Sequence, residues 1–219
     1  MVEVQIPPLA ERIAPTHTGL VVVDVQNDFC DPVAFPAARP MLAHLKPLLG
    51  AARAAAVKVI YTQVVLSPGT TTPVWLSRYA GRPHDHFYCE EGSVGAAFYP
   101  ETQPEPGDLV VVKHRYSAFL GTELELILRA HGISALVFTG LTTNGCVESS
   151  VRDAHQRDYW VVTVADCTTA ATPELHEGAL RSIAWNFGTV ATADEIIAIW
   201  RAASNTRLAP SAAGTRATR

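Results

Sequence analysis

The sequence predicts an α/β fold in which helices cover both faces of a parallel sheet. Five short, valine-rich apolar runs scarcely alternate between apolar and polar residues, and they span 20–25, 57–65, 108–113, 135–140 and 159–166. Strands that are buried on both faces have this character. Segments with helical spacing lie between the runs, which indicates a doubly wound layer. The chain of 219 residues is long enough for one such domain.

Four segments have the apolar spacing of helices: MLAHLKPLLGAARAAA, TELELILRAHG, CVESSVRDAHQRD and PELHEGALRSIAWN. In the second, Thr122 can cap the helix N-terminus together with Glu125, and Gly132 can close the far end. The stretch FGTVATADEIIAIW then predicts a last short strand and a closing helix. We therefore expect one domain over residues 1–203 and a disordered tail over 204–219, because the tail has little apolar content.

A long irregular stretch, residues 66–107, is rich in proline, glycine and aromatic residues. A segment of this length inside a compact domain usually covers a site or forms an interface. We expect it to take part in the interface of a homo-oligomer.

The composition indicates a protein that acts on small molecules. With 17 basic and 21 acidic residues the net charge is -4, which gives no electrostatic reason to expect nucleic acid or an anionic membrane as a partner. No stretch approaches the ~20 apolar residues of a membrane span, and the N-terminus lacks the order of a signal peptide. We expect a cytoplasmic protein whose four cysteines, which include no CxxC pair, are free thiols.

Three chemically able residues follow the ends of predicted strands. Asp24 ends the first apolar run, Lys113 ends the run DLVVVK, and Cys146 comes just after ALVFTG. Because ligands of an open parallel sheet bind beyond the carboxyl ends of its strands, we expect these side chains on one rim. Each has a simpler reading on its own: a buried filler cysteine, a loop-capping aspartate and a solvated lysine at a strand end.

An acid, an amine and a thiol on one rim can perform acyl transfer. The pKa of the Cys146 thiol is expected to fall at the N-terminus of a helix and beside Lys113. Asp24 can take the thiol proton and later give it to a leaving amine. The backbone N–H groups of Thr142 and Cys146 can hold the oxyanion of a tetrahedral intermediate. The sequence thus predicts Cys146 as a nucleophile.

Three blocks of the sequence resemble those of the isochorismatase-like cysteine hydrolases, in the same order over residues 18–200: VVVDVQNDFC, VVKHRYSAFLGTELELIL and VFTGLTTNGCVESSVRDAHQRDYWVVTVADC. The resemblance implies a Rossmann-like three-layer sandwich with a six-stranded, mostly parallel sheet. It also implies a triad of Asp24, Lys113 and Cys146, a cis peptide bond between Leu141 and Thr142, and assembly as a homodimer or homotetramer.

Within that family, retention of Cys146 implies the amide and ureido hydrolase branch, which works through a thioester. The region YTQVVLSPGTTTP lacks the D-x-H-x-x-H metal motif of the nicotinamidases, so we expect no metal and no cofactor. His84, Asp85 and His86 form an alternative metal-site candidate, which two histidines at i and i+2 in a loop support only weakly. The alternatives are a non-catalytic binding or scaffold member of the fold and a nicotinamidase-type amidase.

The residues expected to contact the substrate are Gln26, Phe29, Trp75, Tyr116 and Phe119. Taken alone, each aromatic side chain suits a core better than a cavity wall.

The carboxylate-binding arginine of the N-carbamoylsarcosine amidase type has no counterpart in the stretch VADCTTAATPE. This absence disfavours a substrate with an obligatory carboxylate, although Arg82 or Arg115 could serve from another direction.

Overall fold

The computed structural model describes residues 5–80 and 87–208 and contains a six-stranded sheet with the order β3-β2-β1-β4-β5-β6. Every pair of neighbouring strands is parallel, which confirms the predicted fold class. The strands are β1 (Thr18–Val23), β2 (Lys58–Val64), β3 (Leu109–Lys113), β4 (Ala135–Leu141), β5 (Trp160–Thr169) and β6 (Thr189–Ala191).

Helices follow the strands as the alternating pattern predicts. They are α1 (Leu9–Arg12), α2 (Ala38–Ala54), α3 (Pro73–Leu76), α4 (Leu124–Ala130), α5 (Glu148–His155), α6 (Pro173–Asn186) and α7 (Ala193–Leu208). Apolar residues of α2 and α7 form a core on one face of the sheet, whereas α4, α5 and α6 contribute to a second core on the other face.

The non-alternating apolar runs arise because the sheet is covered on both faces. In β1, Leu20 and Val22 belong to the core beneath α2 and α7, while Val21 and Val23 belong to the core on the opposite face. Successive side chains of a strand point to opposite faces, so a strand between two cores must be apolar at every position.

The chain reverses its direction across the sheet between β1 and β4. From β1 it builds outward through β2 to β3, and β4 then starts on the other side of β1. Gly140 lies in β4 opposite Val23 of β1 and has φ +101°, and a Cβ at this position would overlap the carbonyl oxygen of Val23. Only glycine permits this backbone and this close approach, so the two central strands are drawn together where a ligand crevice is expected.

Thr122 does not occupy the N-cap of α4 as the sequence predicts, because the helix begins at Leu124 and its N-cap residue is Glu123, which forms no side-chain capping hydrogen bond. The Leu124 N–H donates to Thr122 Oγ1 at 3.2 Å, and Gly132 follows the helix with φ +64°. Glu125 instead pairs with Arg129 and with Arg157.

Helix α7 extends through Leu208, so the boundary expected at residue 203 falls within it. Its buried Trp200 donates from Nε1 to the Ile13 carbonyl at 3.0 Å, which anchors the helix to the start of the domain. Residues 209–219 of the expected tail lie outside the described part of the chain. None of the described helices is sufficiently long and apolar to cross a lipid bilayer.

The described part of the 66–107 segment packs against the loop that follows β1. The Asn27 N–H donates to the Ala97 carbonyl at 3.0 Å, and the Cys89 N–H donates to Asp28 Oδ2 at 2.6 Å. A bridge also pairs Gln26 with Phe98. The segment therefore covers the carboxyl end of the sheet, which is one of the two roles expected for it.

Candidate active site

The structure brings Asp24, Lys113 and Cys146 together at the carboxyl end of the sheet. Lys113 Nζ lies 2.7 Å from Asp24 Oδ2 and donates to Cys146 Sγ at 3.3 Å. Asp24 and Lys113 are fully buried, and Cys146 is 6% exposed. An ion pair at such a depth is stable only when its remaining hydrogen-bonding capacity is satisfied.

Asp24 is held by the neighbouring strand β2. Its backbone has φ 48°, a left-handed conformation that aspartate tolerates better than most residues, and its N–H donates to the Thr62 carbonyl at 3.2 Å. Thr62 Oγ1 in turn donates to Asp24 Oδ1 at 2.6 Å. Thr62 thus orients the carboxylate so that its other oxygen faces Lys113, a role that the sequence analysis missed.

Lys113 reaches Asp24 from the edge of the sheet. Strand β2 lies between β3 and β1, so the lysine side chain crosses the end of β2, a backbone separation of roughly 10 Å at two strand spacings. Its Nζ also donates to the Arg115 carbonyl at 2.8 Å. Burial alone lowers the pKa of Lys113, but the Asp24 carboxylate and the Cys146 sulfur outweigh it and raise the pKa, so the amine is a cation.

Cys146 lies in a π-helical turn, Thr143–Val147, that joins β4 to α5. The Leu141–Thr142 peptide bond before it is cis, as the resemblance implied. The N–H groups of Gly145 and Val147 donate to the Thr142 carbonyl at 3.0 and 3.2 Å, and the turn therefore folds tightly around Thr142. Ser150 Oγ donates to the Cys146 carbonyl at 2.7 Å.

The expected lowering of the Cys146 pKa is wrong. Burial raises the pKa of this thiol to about 12; Lys113 opposes the increase, and Asp24 adds to it through its charge and a hydrogen bond. Desolvation disfavours the thiolate, and one cation shared with a carboxylate does not compensate for it. The resting site therefore contains an Asp24–Lys113 ion pair beside a neutral thiol.

The pH dependence of alkylation checks this protonation state. Because a pKa near 12 leaves little thiolate at pH 7, the rate at which iodoacetamide alkylates Cys146 should rise about tenfold per pH unit between pH 7 and 10. Peptide mapping by mass spectrometry measures that rate. The control is an unstructured cysteine peptide, whose alkylation rate levels off above about pH 9. A rate for Cys146 that is already constant from pH 7 upward would show a resting thiolate.

A cavity of about 520 Å³ lies over the turn that carries Cys146. Thr142 and Gly145, which flank the cysteine, line it together with Asn144 and Ser149. Its remaining wall consists of Phe29, Phe35, Arg78, Tyr79, Tyr88, Tyr116, Ala171 and Leu175. This volume suits a small organic molecule.

The residues expected to contact substrate divide into two groups. Phe29 and Tyr116 line the cavity, and Trp75 packs on Tyr116 with the ring centroids 4.8 Å apart. Phe119 instead belongs to the core on the α4 side, where its ring packs 6.1 Å from that of Tyr159.

Gln26 is fully buried, and its amide is bound to the backbone. Its Nε2 donates to the carbonyls of Val64 and Ala96 at 2.9 and 2.7 Å, and its Oε1 accepts from the Val64 N–H at 2.9 Å. The side chain therefore ties the end of β1 to β2 and to the covering segment.

Within residues 5–80 and 87–208, no group of three or more histidine, cysteine, aspartate or glutamate side chains is arranged to hold a metal ion. The candidate ligands His84, Asp85 and His86, and also Arg82, lie outside the described residues. Arg115 donates to the Thr70 and His114 carbonyls at 3.1 and 2.7 Å.

The comparisons with known proteins agree with this geometry. Residues 18–195 match the Isochorismatase domain, a span that includes all three residues of the buried cluster. The chain belongs to the isochorismatase family.

Relatives within the isochorismatase family include the ureidoacrylate amidohydrolase RutB of Methylobacterium radiotolerans. It is 38% identical over 210 residues, which cover 85% of this chain and 81% of the relative. The RutB enzyme of Stutzerimonas stutzeri is 36% identical over 229 residues, covering 94% and 92% of the two chains.

Solved structures of the isochorismatase family superimpose on this chain. A cysteine hydrolase from Pseudomonas syringae pv. phaseolicola is 28% identical with a TM-score of 0.79, and the match covers 88% of this chain and 96% of that one. The N-carbamoylsarcosine amidase of Thermoplasma acidophilum is 30% identical with a TM-score of 0.69, covering 81% and 97%.

Proposed function

We propose that the protein is an amidohydrolase that cleaves a non-peptide C–N bond of a small ureido compound or amide, with Cys146 as the nucleophile. The observation that carries this proposal is the thiol in hydrogen-bond contact with a buried lysine–aspartate pair beneath a small cavity. The RutB relatives, which are ureidoacrylate amidohydrolases, and the N-carbamoylsarcosine amidase structure support ureido compounds as the substrate class.

The first half of the reaction forms a thioester. Cys146 Sγ attacks the carbonyl carbon while Asp24, which shares the Lys113 ammonium with the thiol, accepts its proton. The N–H groups of Thr142 and Cys146 are the donors proposed to stabilise the tetrahedral oxyanion. When that intermediate collapses the C–N bond breaks, and the departing nitrogen takes the proton from Asp24 and leaves as ammonia or an amine.

In the second half, water attacks the thioester carbonyl and gives its proton to Asp24. The C–S bond breaks, the acid or carbamate leaves, and the proton returns to the sulfur. Lys113 stays protonated throughout and stabilises whichever of the carboxylate and the thiolate bears the negative charge. A resting neutral thiol suits this cycle, because Asp24 begins each half as an unprotonated base.

Release of ammonia from a panel of compounds tests the proposed function. Ureidoacrylate and 3-ureidopropionate represent ureido acids, while nicotinamide represents the nicotinamidase alternative. We expect turnover of at least one ureido compound by the wild-type protein and none by the Cys146→Ala variant. Turnover of nicotinamide alone would favour the nicotinamidase reading, and no turnover with any compound would favour a non-catalytic binding member of the fold.

We also propose that the protein forms a homodimer or homotetramer in which the 66–107 segment takes part in the interface. The support is the exposure of apolar side chains on and near this segment, with Val74 83% and Val94 81% exposed. Light scattering at micromolar concentration should give two or four times the 23.6 kDa mass of the chain. A monomeric mass would contradict the assignment.

A further inference from the structure

Arg78 brings a positive charge to the wall of the cavity. It lies in the short helical turn Ser77–Tyr79 of the covering segment, and among the described residues it is the only charged side chain that lines the cavity. Thr142 and Gly145, which flank Cys146, line the same cavity, so a ligand that contacts the guanidinium lies over the turn that carries Cys146.

Aromatic rings hold the guanidinium in place. Its central carbon lies 4.1 Å from the ring centroid of Trp75, 4.7 Å from that of Tyr79 and 5.5 Å from that of Tyr116. Nη2 also donates to the Tyr79 hydroxyl at 2.6 Å. Such stacking restricts the side chain and partly offsets its desolvation, but aromatic rings supply no full negative charge to balance the guanidinium.

No carboxylate of residues 5–80 or 87–208 forms an ion pair with Arg78, and its buried Nε has no hydrogen-bond acceptor in that part of the chain. Arg78 is partly buried, and a cation that is removed from water in part, with a buried donor left unsatisfied, is unfavourable unless an anion completes it. The other arginine that contacts Trp75 differs, since Arg115 donates to two backbone carbonyls. Arg78 therefore has a rigid position, a full charge and unused capacity for hydrogen bonding.

We propose that Arg78 binds a carboxylate of the substrate, so that the preferred substrates are ureido compounds or amides that carry a carboxylate away from the scissile carbonyl. This inference rests on the proposed function. A planar guanidinium matches a carboxylate with two parallel hydrogen bonds, which would also orient the substrate carbonyl toward Cys146. The expectation that an obligatory carboxylate is disfavoured is thereby reversed, because the cation comes from the covering segment and not from the stretch after Cys146.

The test compares ureidoacrylate with its methyl ester, which lacks the charge. For Arg78→Gln, kcat/KM for the acid should fall at least about 30-fold, because truncating one partner of a buried charge pair has an effect of that size or more. For the ester it should fall less than about threefold. Arg78→Lys should recover part of the activity on the acid. Arg12→Gln is the matched control, since Arg12 stacks on Trp160, which lines a different cavity at the amino ends of the strands.

Equal losses on the acid and the ester, or no loss on either, would overturn the inference.

Binding measurements distinguish a failure of the Arg78 inference from a failure of the proposed function. The Cys146→Ala protein is titrated with three- to five-carbon carboxylates and their primary amides, with and without Arg78→Gln. If the wild-type protein hydrolyses nothing but acids bind more tightly than amides only when Arg78 is present, the anion site stands and the proposed function falls. If no acid binds in preference, the anion site is refuted.

Discussion

Replacing Cys146 with alanine is expected to lower turnover by on the order of 10³-fold or more, since removing the nucleophile of a catalytic unit has an effect of at least this size. The fold should persist, because alanine fits the space of the thiol and the π-helical turn is held by the Thr142 and Cys146 carbonyls, which the substitution leaves in place. Steady-state assays with a ureido substrate measure the loss, and circular dichroism checks the fold.

The other three cysteines provide controls of the same chemistry. Cys30, Cys89 and Cys167 are buried free thiols, and Cys167 belongs to the core on the α2 side, away from the cluster. Cys167→Ala should therefore retain most of the activity. Mass spectrometry of enzyme quenched during turnover should find the acyl or carbamoyl adduct on Cys146. An adduct on a different cysteine, or an active Cys146→Ala variant, would refute the mechanism.

Replacing Lys113 with methionine is expected to affect both stability and catalysis. The variant leaves the fully buried Asp24 carboxylate without its cation, and breaking a buried pair in this way destabilises a protein by about 3–5 kcal/mol. Turnover should fall on the order of 10²-fold or more, because the charge of the carboxylate and the thiolate would no longer be balanced. Urea denaturation gives the free energy of unfolding, and steady-state assays give the rate.

The same substitution at Lys46 is the matched control. Lys46 lies 3.9 Å from Glu101 with both side chains more than half exposed, and exposed pairs contribute little, about 1 kcal/mol at most. The double variant Asp24→Asn, Lys113→Met should be more stable than Lys113→Met alone, because it removes the unpaired charge. A double variant that is as unstable as the sum of its single variants would show that the two side chains do not interact.

The sheet could be predicted from the sequence because its strands are buried on both faces. Apolar runs such as LVVVDV that alternate with helices are explained by strands of a parallel sheet that is covered on both faces. The same pattern places Asp24, Lys113 and Cys146 at strand ends. A strand end is a position along the chain, so it can be recognised without knowing which side chains meet above it.

The remaining features of the site depend on contacts between distant segments. Thr62 of β2 hydrogen-bonds to Asp24 at the end of the adjacent strand β1, and Arg78 reaches the cavity from an irregular segment; neither contact has a periodic signal. The prediction that the pKa of Cys146 is lowered was wrong for the same reason. A motif indicates a nearby cation, but it does not show how completely the thiol is buried. Phe119 was grouped with the substrate contacts because it lies in the same sequence block as Lys113, but it lies in the core, the position that suits an aromatic residue better when it is taken alone.

Much of the cavity wall comes from parts of the chain other than those that carry the reacting groups. Asp24 and Cys146 follow strands of the sheet and Lys113 ends one, whereas Phe35, Tyr79 and Tyr88 come from the connecting segments above it. A substitution in these segments leaves the hydrogen bonds of the buried ion pair in place. The substrate range can therefore diverge during evolution, or be altered by mutagenesis of the segments, while the bond-breaking step is inherited unchanged.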